Sequence, residues 1–284
     1  MMLYTVKSGK WSAQIAPEFG GNVIKLTYAG ENVFVPLQNP DQLKNDPYLQ
    51  GAPILLPANR TRDARFSFEG REYRLPVNEK RNGAHLHGLV HTQEFTVLRH
   101  QPEEMVLSFE NKGEIYPFPF VLTVEYAIRE DAFVQTYHIQ NSGNTAMPVT
   151  FALHTTFVEP DTFSVPIDAC QEKDDLHLPT GRYVALSPQE SAYVSGSASK
   201  GKIISGYYRA CGLSAKVGKF TYTASEEFDH WVLFNARGER GLLCVEPQCG
   251  AVDGLNHGAC RVILPGETLT LWTRLDEKYE TRYP

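Results

Sequence analysis

The 284-residue chain carries 27 lysines and arginines against 33 aspartates and glutamates, a formal net charge of −6, with 42% hydrophobic and 21% charged residues. This acidic balance leaves no basic surface for nucleic acid or an anionic membrane, and the composition is that of an ordinary soluble globular protein. No apolar run approaches the roughly 18 residues of a membrane span, and the start MMLYTVKSGKW lacks the basic and apolar regions of a secretion signal, so the expected address is cytoplasmic. Five cysteines, at 170, 211, 244, 249 and 260, are odd in number and scattered, which suits reduced thiols and not a disulfide framework.

From residue 3 the pattern has a period of two. LYTVKS, WSAQIAP, NVIKLTYAG and NVFVPL read as a meander of short strands joined by glycine-bearing turns. Residues 37 to 50 are polar, with prolines at 40 and 47, and read as a loop or short helix over the sheet edge, with no chemistry assigned to them. The block from 51 to 88 is richer. ILLP is a short buried run that breaks off into Pro57, Ala58, Asn59 and Arg60, and a cation at such a break points into a concavity or forms a structural salt bridge. RFSFEGREYRL then makes a hairpin around Glu69 and Gly70.

HLHGLVH admits a metal reading. His85 and His87 are two apart, hence on one side of a strand, and His91 follows. A hydrolytic metal site recruits further histidines and aspartates, which the downstream chain does not supply in a compact cluster, and Gly88 after His87 favours a turn that presents an imidazole. Cys249, His257 and Cys260 lack a CxxC pair and make a weak zinc signal. No metal site is therefore expected.

Strands resume with EFTVLRH, EMVLSFEN and the alternating stretch from 117 to 141, followed by VTFALHTTF, which sets His154 among apolar residues and threonines. Such a histidine is most commonly a satisfied core residue, with acid or ligand as the functional readings. Residues 160 to 225 read as loops and short strands, FDHWVLFN as another strand, and GACRVILPGETLTLWTRLD as a closing hairpin. No repeat or low-complexity linker divides the chain, so one domain over 1–284 is expected.

Between these lies GLLCVEPQC. Leu242 to Val245 read as a strand buried on both faces, and Pro247 is expected to end its hydrogen-bond ladder. Glu246 then sits at the strand's mouth, where desolvation lifts a carboxylate toward the range of a general base, or else is capped by a backbone or arginine partner.

Four motifs, in this order, resemble the aldose 1-epimerase (galactose mutarotase-like) family: PANRTRDARFSFEGREYRLPVN with AHLHG, then PVTFALHTTF, then FDHW, then LCVEPQ with Asn256 downstream. The resemblance covers about residues 10 to 275. It implies an all-β fold, a large antiparallel β-sandwich or supersandwich, with a sugar-binding cleft on one sheet and no metal or organic cofactor. It also implies Glu246 as general base and His154 as general acid in opening and reclosing the sugar ring. Arg60, His87 and Asp229 take the positions that hold sugar hydroxyls. The threonines after His154 depart from the Ser-Tyr or Pro-Tyr of many members, and LCVEPQCG departs around the glutamate.

The expected substrate is a free hexose such as glucose or galactose, held by a monomer or homodimer, with an aromatic ring stacked on the sugar and Trp231 and Phe157 as candidates. A hexose 6-phosphate held by Arg60, Arg62, Arg65 and Arg74 is the alternative substrate. A non-catalytic carbohydrate-binding module is the alternative class.

Overall fold

Alternating apolar and polar residues dictate strands, and the computed structural model, which describes residues 1–277, is built almost entirely from them. The expected single domain reaches into residues 278–284, which lie outside the described residues. One antiparallel sheet runs in space through Thr96–Gln101, Glu104–Asn111, Phe120–Arg129, Ala132–Asn141, Thr268–Glu277, Phe220–Ala224, Ser214–Val217 and Phe163–Ser164. A second runs through Pro179–Val184, Ile167–Lys173, Ser205–Ala210, His230–Phe234, Leu242–Cys249, Phe151–Leu153 and Ile54–Leu55, with Thr156–Val158 also paired to Leu242–Cys249. The all-β antiparallel sandwich expected from the sequence is the fold found.

Aromatic rings close the space between the two sheets. Tyr137 meets Phe151 at 5.1 Å between centroids, and Tyr222 meets both Phe157 at 5.5 Å and Trp231 at 6.2 Å. Each such fully buried ring contributes about 1.5–3 kcal/mol of transfer free energy. Trp231 and Phe157 are therefore core residues, at 1% exposure each, and neither reaches a sugar.

Three local expectations need correction. The strand Leu242–Cys249 does not stop at Pro247; it continues two residues beyond, buried throughout. Residues 187 to 195 are no loop: Ser187 and Glu190 form a reciprocal capping box on the helix Pro188–Ser195, a Ser-x-x-Glu signal present in the sequence. Arg261–Ile263 and Thr268–Glu277 do not pair as a hairpin, because the first pairs with Met147–Val149 and the second inserts between Ala132–Asn141 and Phe220–Ala224. Among the described residues no helix is long and apolar enough to cross a membrane.

Candidate active site

Strand periodicity divides Leu242–Cys249 between two environments. Leu243, Val245 and Cys249 belong to the inter-sheet core, whereas Leu242 and Cys244 pack on the opposite side with Leu49. Glu246 shares the parity of Leu242 and Cys244. Register then aligns Tyr207 with Val232 and Val232 with Glu246, one row across three strands. A second row runs Ser205, Phe234, Cys244. These rows floor a cavity of about 320 Å³ whose lining includes Glu246, His154, His87, Arg60, Tyr207 and Tyr48. That volume lies at the small end of the roughly 300–1,000 Å³ of ligand sites, enough for one small molecule.

His154 reaches the floor through a break in the neighbouring strand. Phe151–Leu153 pairs with one end of Leu242–Cys249 and Thr156–Val158 with the other. Between them Thr155 N–H donates to the Leu153 carbonyl at 2.8 Å, a three-residue turn with His154 at its apex. Val245 N–H donates to the Thr155 carbonyl at 3.0 Å, so by alternation the missing N–H of Pro247 falls on the same interrupted side, where no ladder partner is lost. That is why proline does not end this strand. His154 Nε2 thereby stands 3.5 Å from Glu246 Oε1.

The wall comes from the block that follows ILLP. Arg60–Thr61 pairs with His85–Leu86, and His87 N–H donates to the Asn59 carbonyl at 2.8 Å. His87 and Gly88 both have positive φ, at 65° and 63°, and a Cβ on Gly88 would lie 1.9 Å from the Leu56 carbonyl oxygen. Only glycine permits that approach. The turn separates the two histidines expected on one side: His85 Nδ1 contacts the Pro76 carbonyl at 2.6 Å, whereas His87 lines the cavity. His85, His87 and His91 form no metal-ligand trio among the described residues, nor do Cys249, His257 and Cys260.

Arg60 is held on three sides. Its Nε and Nη2 donate to Glu79 at 2.8 and 2.7 Å, and its Nη1 donates to the Tyr207 hydroxyl at 2.6 Å. Arg62 and Arg74 donate to Asp174 and Glu72, Arg65 lies in ion-pair range of Asp63 and Glu72, and none of the three lines the cavity. The arginine cluster considered as a phosphate clamp is thus dispersed.

Asp229 is not brought to the cavity. Its carboxylate accepts from His230 Nδ1 at 2.7 Å, Gly250 N–H at 2.8 Å and Arg261 at 3.2 Å. Burial works against its charge, yet these donors hold its carboxyl below the ordinary value. In its place stand residues the sequence left unmarked: Tyr207, Glu79 behind Arg60, and Asp46, Tyr48 and Leu49 from the polar loop. Tyr48 is the ring on the cavity side, 4.5 Å from the His87 ring and 6.0 Å from that of His154. The Asp-Pro-Tyr turn was its one sequence signal, and that signal speaks of a turn only.

Burial dominates the electrostatics. It drives Glu246 well above the ordinary carboxylate range, opposed in part by the charge of Arg60. It brings His154 down to about 4, with Asp46 opposing and His91 adding to the shift. His87 is pushed well below its usual value by burial and by the neighbouring His154 and Arg60. A buried acid and a buried base in contact, sharing one proton, is an arrangement for moving protons onto and off a bound molecule.

The aldose 1-epimerase family model matches residues 2–276. The chain belongs to the aldose 1-epimerase family. Among curated proteins it is 24% identical over 185 residues to YihR, an uncharacterized protein of Escherichia coli K12, covering 62% of this chain and 58% of YihR. A second uncharacterized protein of the same strain, YphB, is 26% identical over 105 residues, 37% of this chain and 36% of its own length. The chain thus aligns with less than two thirds of either relative. Fold likeness is far more extensive than sequence likeness. A galactose mutarotase-like protein from Clostridium acetobutylicum superposes with a TM-score of 0.89 at 21% identity, covering 96% of this chain and 95% of that one. The galactose 1-epimerase of Lactobacillus acidophilus superposes at 0.76 and 16% identity, covering 96% and 93%. The aldose epimerase homologue of C. elegans gives 0.83 at 16% identity, covering 98% and 99%.

Proposed function

We propose that this aldose 1-epimerase family member interconverts the α and β anomers of a free hexose such as glucose or galactose, with Glu246 as base and His154 as acid. The observation that supports the reading is the 3.5 Å contact between a carboxylate and an imidazole at the floor of a cavity sized for one small molecule. Burial favours the neutral form of both partners, and transfer of the shared proton from Glu246 to His154 readies base and acid together without changing the cavity's net charge. The Glu246 carboxylate then takes the C1 hydroxyl proton, the bond from C1 to the ring oxygen breaks, and His154 gives its proton to that oxygen. The aldehyde carbon turns about the C1–C2 bond, and the same groups in reversed roles close the ring on its other face. Arg60 and His87 hold hydroxyls away from C1, and Tyr48 offers its ring to the sugar. Asp229, with its oxygens already engaged, is left out of the substrate contacts. A free sugar is favoured over a 6-phosphate because Arg60, the one arginine in the cavity lining among the described residues, is already neutralised by Glu79.

Polarimetry on freshly dissolved α-glucose and α-galactose tests this directly. Accelerated approach to the anomeric equilibrium that disappears in Glu246→Gln supports the assignment. Acceleration of neither sugar by the folded protein overturns it, and acceleration of a hexose 6-phosphate alone would transfer the chemistry to the other substrate class.

A further inference from the structure

We propose that Cys244, His154 and Glu246 form a binding site for a zinc-like divalent cation, which on binding occupies the acid–base pair and reversibly stops the anomerisation assigned above. The inhibitory half rests on that functional reading; the site itself rests on geometry alone. Cys244 lies two residues before Glu246 on one strand, so the thiol and the carboxylate emerge on the same side of the sheet, and His154 enters from the interruption opposite. One donor atom from each of the three lies within 4.8 Å of the other two, and this is the one such trio among the described residues. Tetrahedral zinc, with bonds of about 2.0–2.3 Å, sets its donors roughly 3.3–3.6 Å apart. His154 Nε2 and Glu246 Oε1, at 3.5 Å, already have that spacing, so only the thiol has to close in.

Charge and ligand type narrow the ion. A thiolate and a carboxylate neutralise a divalent cation in a buried site, and the sulfur selects zinc-like metals over magnesium or calcium, which require oxygen shells. The Thr156 hydroxyl, 3.5 Å from the Cys244 sulfur, is placed to hydrogen-bond a thiolate. Glu246 and His154 both line the cavity, which leaves the fourth coordination position open to water. On binding, the thiol proton passes to solvent as the sulfur–metal bond forms, and any proton on Glu246 leaves in the same way. No redox step is involved.

The experiment is cobalt titration of the full chain after treatment with a chelator, followed by polarimetry with and without zinc. A thiolate-to-cobalt charge-transfer band saturating at one ion per chain is expected for the parent and absent from Cys244→Ser and Cys244→Ala. Both variants keep the metal-free rate, and each needs more than tenfold higher zinc for half-inhibition. The proposal is overturned if the parent shows no charge-transfer band, if the band persists in both variants, or if zinc inhibits all three proteins equally. Should the chain accelerate no anomerisation, the cobalt spectrum still decides the site, and that failure belongs to the functional reading alone.

Discussion

Arg60 and Glu79 form a two-point fork at 2.8 and 2.7 Å, and each side chain is only 18% exposed. The fork fixes the guanidinium plane, and the third bond, to Tyr207, ties that plane to the row that ends on Glu246. Glu79 therefore acts through Arg60. Glu79→Gln keeps the shape and removes one charge, and breaking a partly buried pair from one side costs more than a surface pair is worth. The expected outcome is a roughly tenfold rise in KM for the sugar, about 1.4 kcal/mol, with kcat changed far less. A kcat loss as large as that of Glu246→Gln would instead put Glu79 in the chemistry.

Glu246→Gln and His154→Asn remove the base and the acid while preserving size. Each is expected to lower kcat by roughly 10²–10⁴ with little change in KM. Because Glu246 is neutral over much of the pH range in the empty cavity, the glutamine mimics a form the fold already tolerates. Its thermal midpoint near neutral pH is therefore expected at or above that of the parent, read by circular dichroism beside the polarimeter trace.

Stability has a predictable pH dependence. His91 is buried, and its folded pKa is lowered from 6.5 to about 4, first by burial and then by the neighbouring His85. A histidine so depressed binds fewer protons folded than unfolded, so its contribution is complete above pH 6.5 and lost as pH falls toward 4. The depression corresponds to about 3 kcal/mol. His154, also at about 4, and His87, lowered further, act with the same sign. Urea unfolding from pH 7 to pH 4 should show falling stability across that window, and His91→Gln should flatten the slope even if it lowers the plateau. A slope unchanged in His91→Gln would show that this histidine is not held neutral.

How much of this was legible depended on whether a residue's role shows against its neighbours in the chain. Glu246 is a charge inside an apolar strand, His154 an imidazole in an apolar and threonine-rich run, and Arg60 a cation where a buried run breaks off; all three stand out locally, and all three line the cavity. Tyr207 and Glu79 do not stand out. Tyr207 enters the site because strand order places it two strands from Glu246 in register, and Glu79 because a turn of nine residues returns it to the His85–Leu86 edge. Asp229 had a motif in its favour, but its place just ahead of His230–Phe234 gives it to Gly250 and Arg261. Pro247 misled in the opposite direction, because whether a proline stops a strand depends on which neighbour its missing N–H would have faced.

Tyr48 offers the last prediction. Its ring is angled against His87 and His91 and lies nearly parallel to His154, with an interplanar angle of 26°. Thr156, next but one after His154, holds the Tyr48 carbonyl through its hydroxyl at 3.3 Å, so the loop is fastened to the strand break that carries the imidazole. If the ring is the face on which the sugar rests, the area it offers is what counts and the hydroxyl contributes little. Tyr48→Phe should then leave KM within about twofold, while Tyr48→Ala, losing an aromatic contact of about 1–2 kcal/mol, should raise it roughly tenfold. Equal losses in the two variants would assign the effect to the hydroxyl and move the stacking surface to another wall of the cavity.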